Sequence, residues 1–134
     1  MTTFALDTNI VSYLLKNDKK VTNKQKTELK AGNTVVIPPI VYYEIRRGLI
    51  SSSATTKSAS FSKLFKTCGI KKIDLDTLET AANLYAKLKA IGLLIEDSDL
   101  LIAAHCIRHG FTLVTNNTDH FKNIDNLNLA DWTI

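Results

Sequence analysis

Residues 99–117 read DLLIAAHCIRHGFTLVTNN, and this stretch decides the class of fold. Its apolar first part predicts a helix from about Asp99 to His109. Gly110 predicts the end of that helix, and Phe111 to Thr115 is a β-prone run that predicts a strand. A helix that leads directly into a strand is typical of α/β proteins, in which helices connect the strands of a parallel sheet.

The same alternation of strands and helices runs through the rest of the chain. In chain order we expect a strand at Thr3–Leu6, a helix after Asp7-Thr8-Asn9, an exposed helix within residues 18–33, a strand at Thr34–Ile37, a helix from Ile40 to about Gly48, a loop at Ser51–Ser60 leading into a helix with Phe61, a strand at Lys71–Leu75, a helix capped by Asp76 and ending near Ile91, and a short strand at Asn128-Leu129. This order predicts a mainly parallel sheet with helices on both faces, a three-layer α/β/α arrangement.

Length and composition narrow the class of protein. The chain has 134 residues, of which 45% are hydrophobic and 22% are charged, so we expect one globular domain over residues 1–134 and exclude a disordered chain. No apolar run approaches the roughly 18 residues of a membrane span, and the first ten residues do not resemble a signal peptide, so we expect a cytoplasmic protein. Cys68 and Cys106 are far apart in sequence, which favours buried, reduced thiols over a disulfide or a structural zinc site.

The charge balance favours a polyanionic partner. Seventeen Lys and Arg residues against thirteen Asp and Glu residues give a net charge of +4. The lysines concentrate between Lys16 and Lys89, whereas acidic residues crowd the last third of the chain. This distribution is compatible with a basic surface beside an acidic pocket.

Polar side chains follow the predicted strands at the edge where α/β proteins bind ligands. Asp7 follows the first strand, Glu44 lies on the helix after the second, and Asp99 begins the helix before the strong strand. That strand ends in Thr115-Asn116-Asn117, with Asp119 close behind. Because ligands bind outside the carboxyl ends of parallel strands, we expect these distant segments to converge on one acidic edge.

Each of these acids also has a purely structural interpretation. Asp7 is a good N-cap for the helix that follows it, and Asp97 and Ser98 can cap the helix quoted above. Glu44 lies at the margin of the apolar stripe of its helix, where a surface pair with Arg47 is the alternative.

Clustered carboxylates favour a particular cofactor. They repel one another unless a cation lies between them, and oxygen ligands without Cys or His favour Mg²⁺ or Mn²⁺ over zinc. Such a site can activate water for cleavage of a phosphodiester. His105 and His109 have the i, i+4 spacing of zinc ligands but no evident third ligand. His120 follows Asp119 and has two interpretations: a residue near the acidic edge, or a solvated loop residue, which is the commoner case for a loop histidine.

Four blocks of sequence resemble one known family. The blocks are LDTNIVSYLL at residues 6–15, YEIRRG at 43–48, DLLIAAHCIRHGFTLVTNN at 99–117 and the ending at 121–132. Together they resemble the PIN-domain ribonucleases, specifically the VapC-type toxins of bacterial toxin–antitoxin pairs. The resemblance covers nearly the whole chain and implies a PIN-like fold.

The resemblance implies a metal-dependent endoribonuclease with an acidic triad of Asp7, Glu44 and Asp99. Asp7 and Asp99 would be the ligands of Mg²⁺ or Mn²⁺, and the supporting residues would be Thr8, Asn9 and Thr115. Many members of the family carry a fourth acid where this chain has Asn117. In its absence Asp119 or Asp97 would have to compensate for a second metal ion to bind well.

The resemblance also implies partners and a substrate. It predicts a homodimer, a separately encoded VapB-like antitoxin, and cleavage of structured RNA, often tRNA. Two alternatives remain open from the sequence: a structure-specific DNA nuclease, and a catalytically silent PIN-like module that binds RNA, in which Asn117 marks a decayed site.

Overall fold

The computed structural model describes residues 1–134, which form four strands and seven helices. The strands are β1 (Thr3–Leu6), β2 (Thr34–Val36), β3 (Thr112–Val114) and β4 (Asn128–Ala130). The helices are α1 (Thr8–Leu15), α2 (Lys19–Lys30), α3 (Pro39–Ser51), α4 (Thr55–Thr67), α5 (Leu75–Ala90), α6 (Asp97–His109) and α7 (Thr118–Phe121).

The sheet is entirely parallel, with the strand order β2-β1-β3-β4. Phe4 of β1 lies opposite Val35 of β2 on one side and Thr112 of β3 on the other. The chain first crosses from β1 to β2 and later returns to the opposite side of β1 as β3. The carboxyl ends of β1 and β3 therefore flank a topological switch point, the usual ligand site of an open parallel sheet. The predicted three-layer α/β/α architecture is confirmed.

One cluster of 26 buried hydrophobic residues holds the sheet and the helices together. The predicted stripe of α3, Val41, Ile45 and Leu49, is buried in it. Trp132 is 2% exposed and its ring lies 5.4 Å from that of Phe4, so the C-terminal segment packs against the central strand. Burying a side chain of this kind stabilises the fold by about 1.5–3 kcal/mol.

The strand predicted at Lys71–Leu75 is wrong. The β-pairing nearest to this segment is an isolated bridge between Gly69 and Val36, at the edge of the sheet. The side chain of Asp74 accepts a hydrogen bond from the backbone N–H of Thr77 and caps α5, which begins at Leu75. Asp74 therefore takes the capping position predicted for Asp76, and a strand cannot continue through a helix cap.

The predicted loop at Ser51–Ser60 is too long. It comprises only residues 52–54, because α4 begins at Thr55. The helix buries Phe61, whose ring lies 5.5 Å from that of Tyr42 on α3. This tertiary contact overrides the weak helix propensity of the Ser- and Thr-rich segment.

The remaining differences are small. Glu96 holds the N-cap position of α6, so Asp97 and Ser98 lie in its first turn and do not cap it. The short helix α7 was not predicted. Both cysteines are free, and Cys106 is buried as expected whereas Cys68 is only half-buried. No helix has the length and apolarity needed to cross a membrane.

Candidate functional site

Asp7 lies at the carboxyl end of β1, beside the end of β3. The residue is 8% exposed, and its carboxylate accepts two hydrogen bonds of 2.8 Å, one from the backbone N–H of Thr8 and one from the hydroxyl of Thr115. The backbone N–H of Asp7 donates to the carbonyl of Val114 at 2.9 Å. Asp7 therefore does cap α1, as its structural interpretation predicts, and the cap also fixes the carboxylate between the two strands.

The electrostatics of Asp7 show that the three predicted acids share one region. Burial raises the pKa of Asp7, and the charges of Asp99 and Glu44 raise it further. The hydrogen bonds from Thr115 and Thr8 oppose this rise. A negative charge on Asp7 is therefore disfavoured in the metal-free protein, and a cation between the carboxylates would favour it.

Glu44 is held at the same edge from α3. Its Oε1 accepts a hydrogen bond of 2.8 Å from the hydroxyl of Thr8, the residue after Asp7. Its Oε2 lies 3.8 Å from Nη2 of Arg47, whose guanidinium lies 5.2 Å from the ring centre of Tyr43. The Arg47 pair is therefore present, but it does not draw Glu44 away from Asp7.

Asp99, in the first turn of α6, has a side-chain partner on α7. Its Oδ2 lies 2.8 Å from Nε2 of His120 on α7. Of the two interpretations of His120, the solvated loop residue is wrong and the position near the acidic edge is confirmed, because its side chain is only 31% exposed and contacts Asp99. The one signal in the sequence was its position in the segment that follows β3.

The asparagines at this edge form hydrogen bonds to one another and to the hydroxyls of Tyr13 and Thr115. Asn9 Nδ2 donates to Asn116 Oδ1 at 3.3 Å, which joins α1 to the segment after β3. The backbone N–H of Asn117 donates to the Thr115 hydroxyl at 3.1 Å and so helps to orient the side chain that contacts Asp7. The side chain of Asn117 is exposed and makes no hydrogen bond to the protein.

Two of the predicted supporting acids lie apart from this cluster. Asp119 is 91% exposed and pairs with Lys122 at 3.7 Å. Asp97 is exposed and lines a different pocket, with Ala82 and Tyr85 of α5. No hydrogen bond or ion pair joins either acid to Asp7, Glu44 or Asp99.

The side chains that would bind a cation here offer only oxygen atoms, and they leave part of its coordination shell to water. No group of three or more Asp, Glu, His or Cys side chains in the chain is arranged to hold a metal ion by itself. Asp7 and Asp99 would thus supply two carboxylates, and water would complete the shell, as is common for Mg²⁺. Cys106 does not contribute, because burial, with help from the charge of Asp7, raises its pKa to about 12 and keeps it a thiol.

Comparison with known proteins agrees with this geometry. The PIN domain family model matches residues 4–127. The chain is 31% identical over 134 residues to Ribonuclease VapC2 of Rickettsia felis, with 96% of this chain and 97% of the relative covered. It is 28% identical to the tRNA(fMet)-specific endonuclease VapC of Shigella flexneri, with 99% and 100% covered. The crystal structure of VapBC2 from Rickettsia felis bound to a promoter DNA fragment matches with a TM-score of 0.89 and 32% identity, covering 98% of this chain and 99% of that one. The chain therefore belongs to the PIN domain family, among its VapC-type members.

Proposed function

We propose that this chain is an endoribonuclease that cuts RNA at the Asp7, Glu44 and Asp99 site with the help of Mg²⁺ or Mn²⁺. One observation carries the proposal: Asp7 is buried at the switch point of the sheet, and the charges of Glu44 and Asp99 disfavour its ionisation. A buried carboxylate beside two other carboxylates is costly for stability, and it suits a site that binds a cation.

The residues present fit a divalent cation. Asp7 and Asp99 would hold it, since both offer hard carboxylate oxygens, and Glu44 would bind it directly or through water. When bound, the cation supplies an activated water and stabilises negative charge on the phosphate.

The chain itself positions the ligands. Thr8 and Thr115 orient the carboxylate of Asp7, the Thr8 hydroxyl fixes Glu44, and His120 holds Asp99. These contacts limit the rotamers of the acids before substrate binds, which lowers the entropic cost of assembling the site.

The relatives supply the biological setting of the proposal. We infer that the substrate is tRNA or another structured RNA of translation, and that a VapB-like antitoxin binds and inhibits the enzyme. We also infer a homodimer, one domain per chain, and activity in the cytoplasm. Support comes from the name of the Shigella flexneri relative and from the VapBC2 complex in which the similar Rickettsia felis structure was solved.

The test is cleavage of total bacterial RNA by purified protein with Mg²⁺, with Mn²⁺ and with EDTA. We expect discrete fragments only with metal, and a loss of at least about 100-fold in Asp7→Asn and Asp99→Asn, because each removes a metal ligand. Asp119→Asn is the matched control and keeps full activity. Cleavage that persists in both site variants would contradict the proposal, and metal-independent RNA binding without cleavage would favour the silent RNA-binding module.

A further inference from the structure

A groove of 730 Å³ lies directly beside the acidic site, between α1, the second half of α3 and the start of α4. Thr8 and Glu44, which take part in the site described above, also line one end of it. Ile45 and Leu49 lie along it and are each 7% exposed, so part of its surface is the edge of the core. The groove is thus continuous with the acidic site at Thr8 and Glu44.

The groove carries positive charge that no protein group neutralises. Lys16, at the end of α1, and Lys57, in the first turn of α4, both line it and are exposed. Neither takes part in an ion pair. Glu44 is the one acid of the lining, and it is already engaged by Thr8 and Arg47.

The position of Lys57 has no explanation in the stability of its helix. It is the third residue of α4, where the positive end of the helix dipole disfavours a cation by a few tenths of a kcal/mol. No acid lies in this first turn to compensate. The lysine is therefore better explained by something that binds in the groove.

Hydroxyl groups complete the lining. Four lining residues have hydroxyls that donate no hydrogen bond within the protein: Ser12, Ser53, Thr55 and Thr56. Free hydroxyls and lysine ammonium groups are donors suited to phosphate oxygens and to the ribose 2′-hydroxyl. No aromatic side chain lines the groove, so it lacks a platform for base stacking.

We propose that this groove binds the RNA strand next to the scissile phosphate, with Lys16 and Lys57 each neutralising one backbone phosphate. The inference rests on the proposed function, and charge complementarity together with continuity with the acidic site favours RNA over a peptide as occupant. Because the donors face a backbone and no aromatic ring is present, the groove contributes affinity that depends on salt and is uniform across sequences.

The test compares Lys16→Gln/Lys57→Gln with Lys63→Gln/Lys66→Gln. The control lysines are exposed on the same helix, α4, lie outside the groove, and form no ion pair. Both double variants lose the same net charge. Binding of unfractionated bacterial tRNA is measured from 50 to 200 mM KCl in an Asp7→Asn background, which prevents cleavage. Steady-state cleavage is measured in the native background.

We expect the groove variant to bind tRNA at least about tenfold more weakly than the unaltered protein. The slope of log K against log salt should fall by about 1.4, since each lost contact with single-stranded RNA removes about 0.7. Its KM should rise with little change in kcat, because the lost contacts bind substrate and transition state alike. The control variant should change the tRNA affinity and the salt slope much less. Circular dichroism should show an equally folded protein, because both groove lysines are exposed.

Two results would overturn the inference. If both double variants bind tRNA with equal affinity and slope, the groove does not hold RNA and a protein segment becomes its better occupant. If the groove variant loses kcat at unchanged KM, the lysines act on the site and not on strand binding. Failure of the proposed function has a different signature, which is absence of metal-dependent cleavage by the unaltered protein.

Discussion

His120 Nε2 lies 2.8 Å from Asp99 Oδ2, and this contact joins α7 to the first turn of α6 across 21 residues of sequence. Asp99 is 24% exposed and has no other hydrogen-bond partner for its side chain. The histidine is thus the one group of the chain that restrains the orientation of this carboxylate. We regard His120 as a positioning residue for Asp99.

Removing this contact should lower activity without unfolding the protein. We expect His120→Ala to reduce kcat/KM about tenfold, the lower end of the effect of groups that orient metal ligands. His120→Gln should recover most of the loss, because its amide can donate to the same oxygen. Both variants are assayed for RNA cleavage and for binding of Mn²⁺ by calorimetry. Equal activity of the alanine variant and the unaltered protein would rule out the positioning role.

Neutralising Asp7 should stabilise the protein in EDTA and abolish its response to metal. Burial and two neighbouring carboxylates raise the pKa of Asp7, so its ionised form at pH 7 costs folding free energy. We expect Asp7→Asn to raise Tm by about 3 °C in EDTA, which corresponds to about 1 kcal/mol. Mg²⁺ should raise Tm of the unaltered protein but not of Asp7→Asn. Asp97→Asn is the control and should keep the Mg²⁺ response; an equal response in Asp7→Asn would exclude Asp7 as a ligand.

His105 should make the protein sensitive to acid. Its ring is 1% exposed, neither nitrogen has a hydrogen-bond partner, and the ring of His109 lies 4.8 Å away. Burial, and to a lesser degree the charge of His109, lowers the pKa of His105 to about 4, while Asp74 opposes the shift. The unfolded chain, with a histidine pKa near 6.5, therefore binds more protons as pH falls from about 6.5 to 4, and stability is lost in that window.

The size of this acid effect can be measured by urea denaturation. His105 alone should lower the free energy of unfolding by about 2 kcal/mol between pH 7.5 and pH 5. His105→Phe removes the titrating group while it fills a similar volume beside Phe111, so its stability should fall less over the same range. An identical fall in both proteins would show that other groups cause the acid sensitivity.

Replacing Ser53 by glycine should stabilise the protein. It has φ of +53° and ends α3 with two reverse hydrogen bonds, Ser53 N–H to the Ile50 carbonyl and Ala54 N–H to the Leu49 carbonyl, each 3.1 Å. This is the Schellman arrangement, whose left-handed residue is usually glycine. We expect Ser53→Gly to raise the free energy of unfolding by about 0.5–1 kcal/mol. The neighbouring Ser52→Gly, at φ −92°, should lower it or leave it unchanged, and the reverse order would contradict the assignment.

The acids that approach one another were predictable because each has a local signal. Asp7 follows a β-prone run, Asp99 begins an apolar helix, and Glu44 interrupts the margin of an apolar stripe. Strand ends of a parallel sheet share one edge, so the alternation of elements alone brings these residues together. Thr115 follows the last strand-forming residues of β3, and at this strand end its hydroxyl contacts Asp7.

Other features had no such signal. Three residues lie in the segments that flank the acidic edge: Asp97, Asp119 and His120. Only the path of the folded chain decides that Asp97 lines another pocket, that Asp119 pairs with Lys122 and that His120 contacts Asp99. The start of α4 likewise depends on where Phe61 is buried, because the Ser- and Thr-rich segment is a poor helix former by itself.

The sequence by itself determined the α/β class, the parallel sheet and the convergence of Asp7, Glu44 and Asp99 on one edge, because hydrophobic periodicity and strand ends are local properties of the chain. The tertiary structure alone decided which polar side chains meet across 21 to 108 residues, as His120 meets Asp99 and Thr115 meets Asp7. It also decided that Lys16 and Lys57 share one groove, since helix packing sets that distance and no local pattern encodes it.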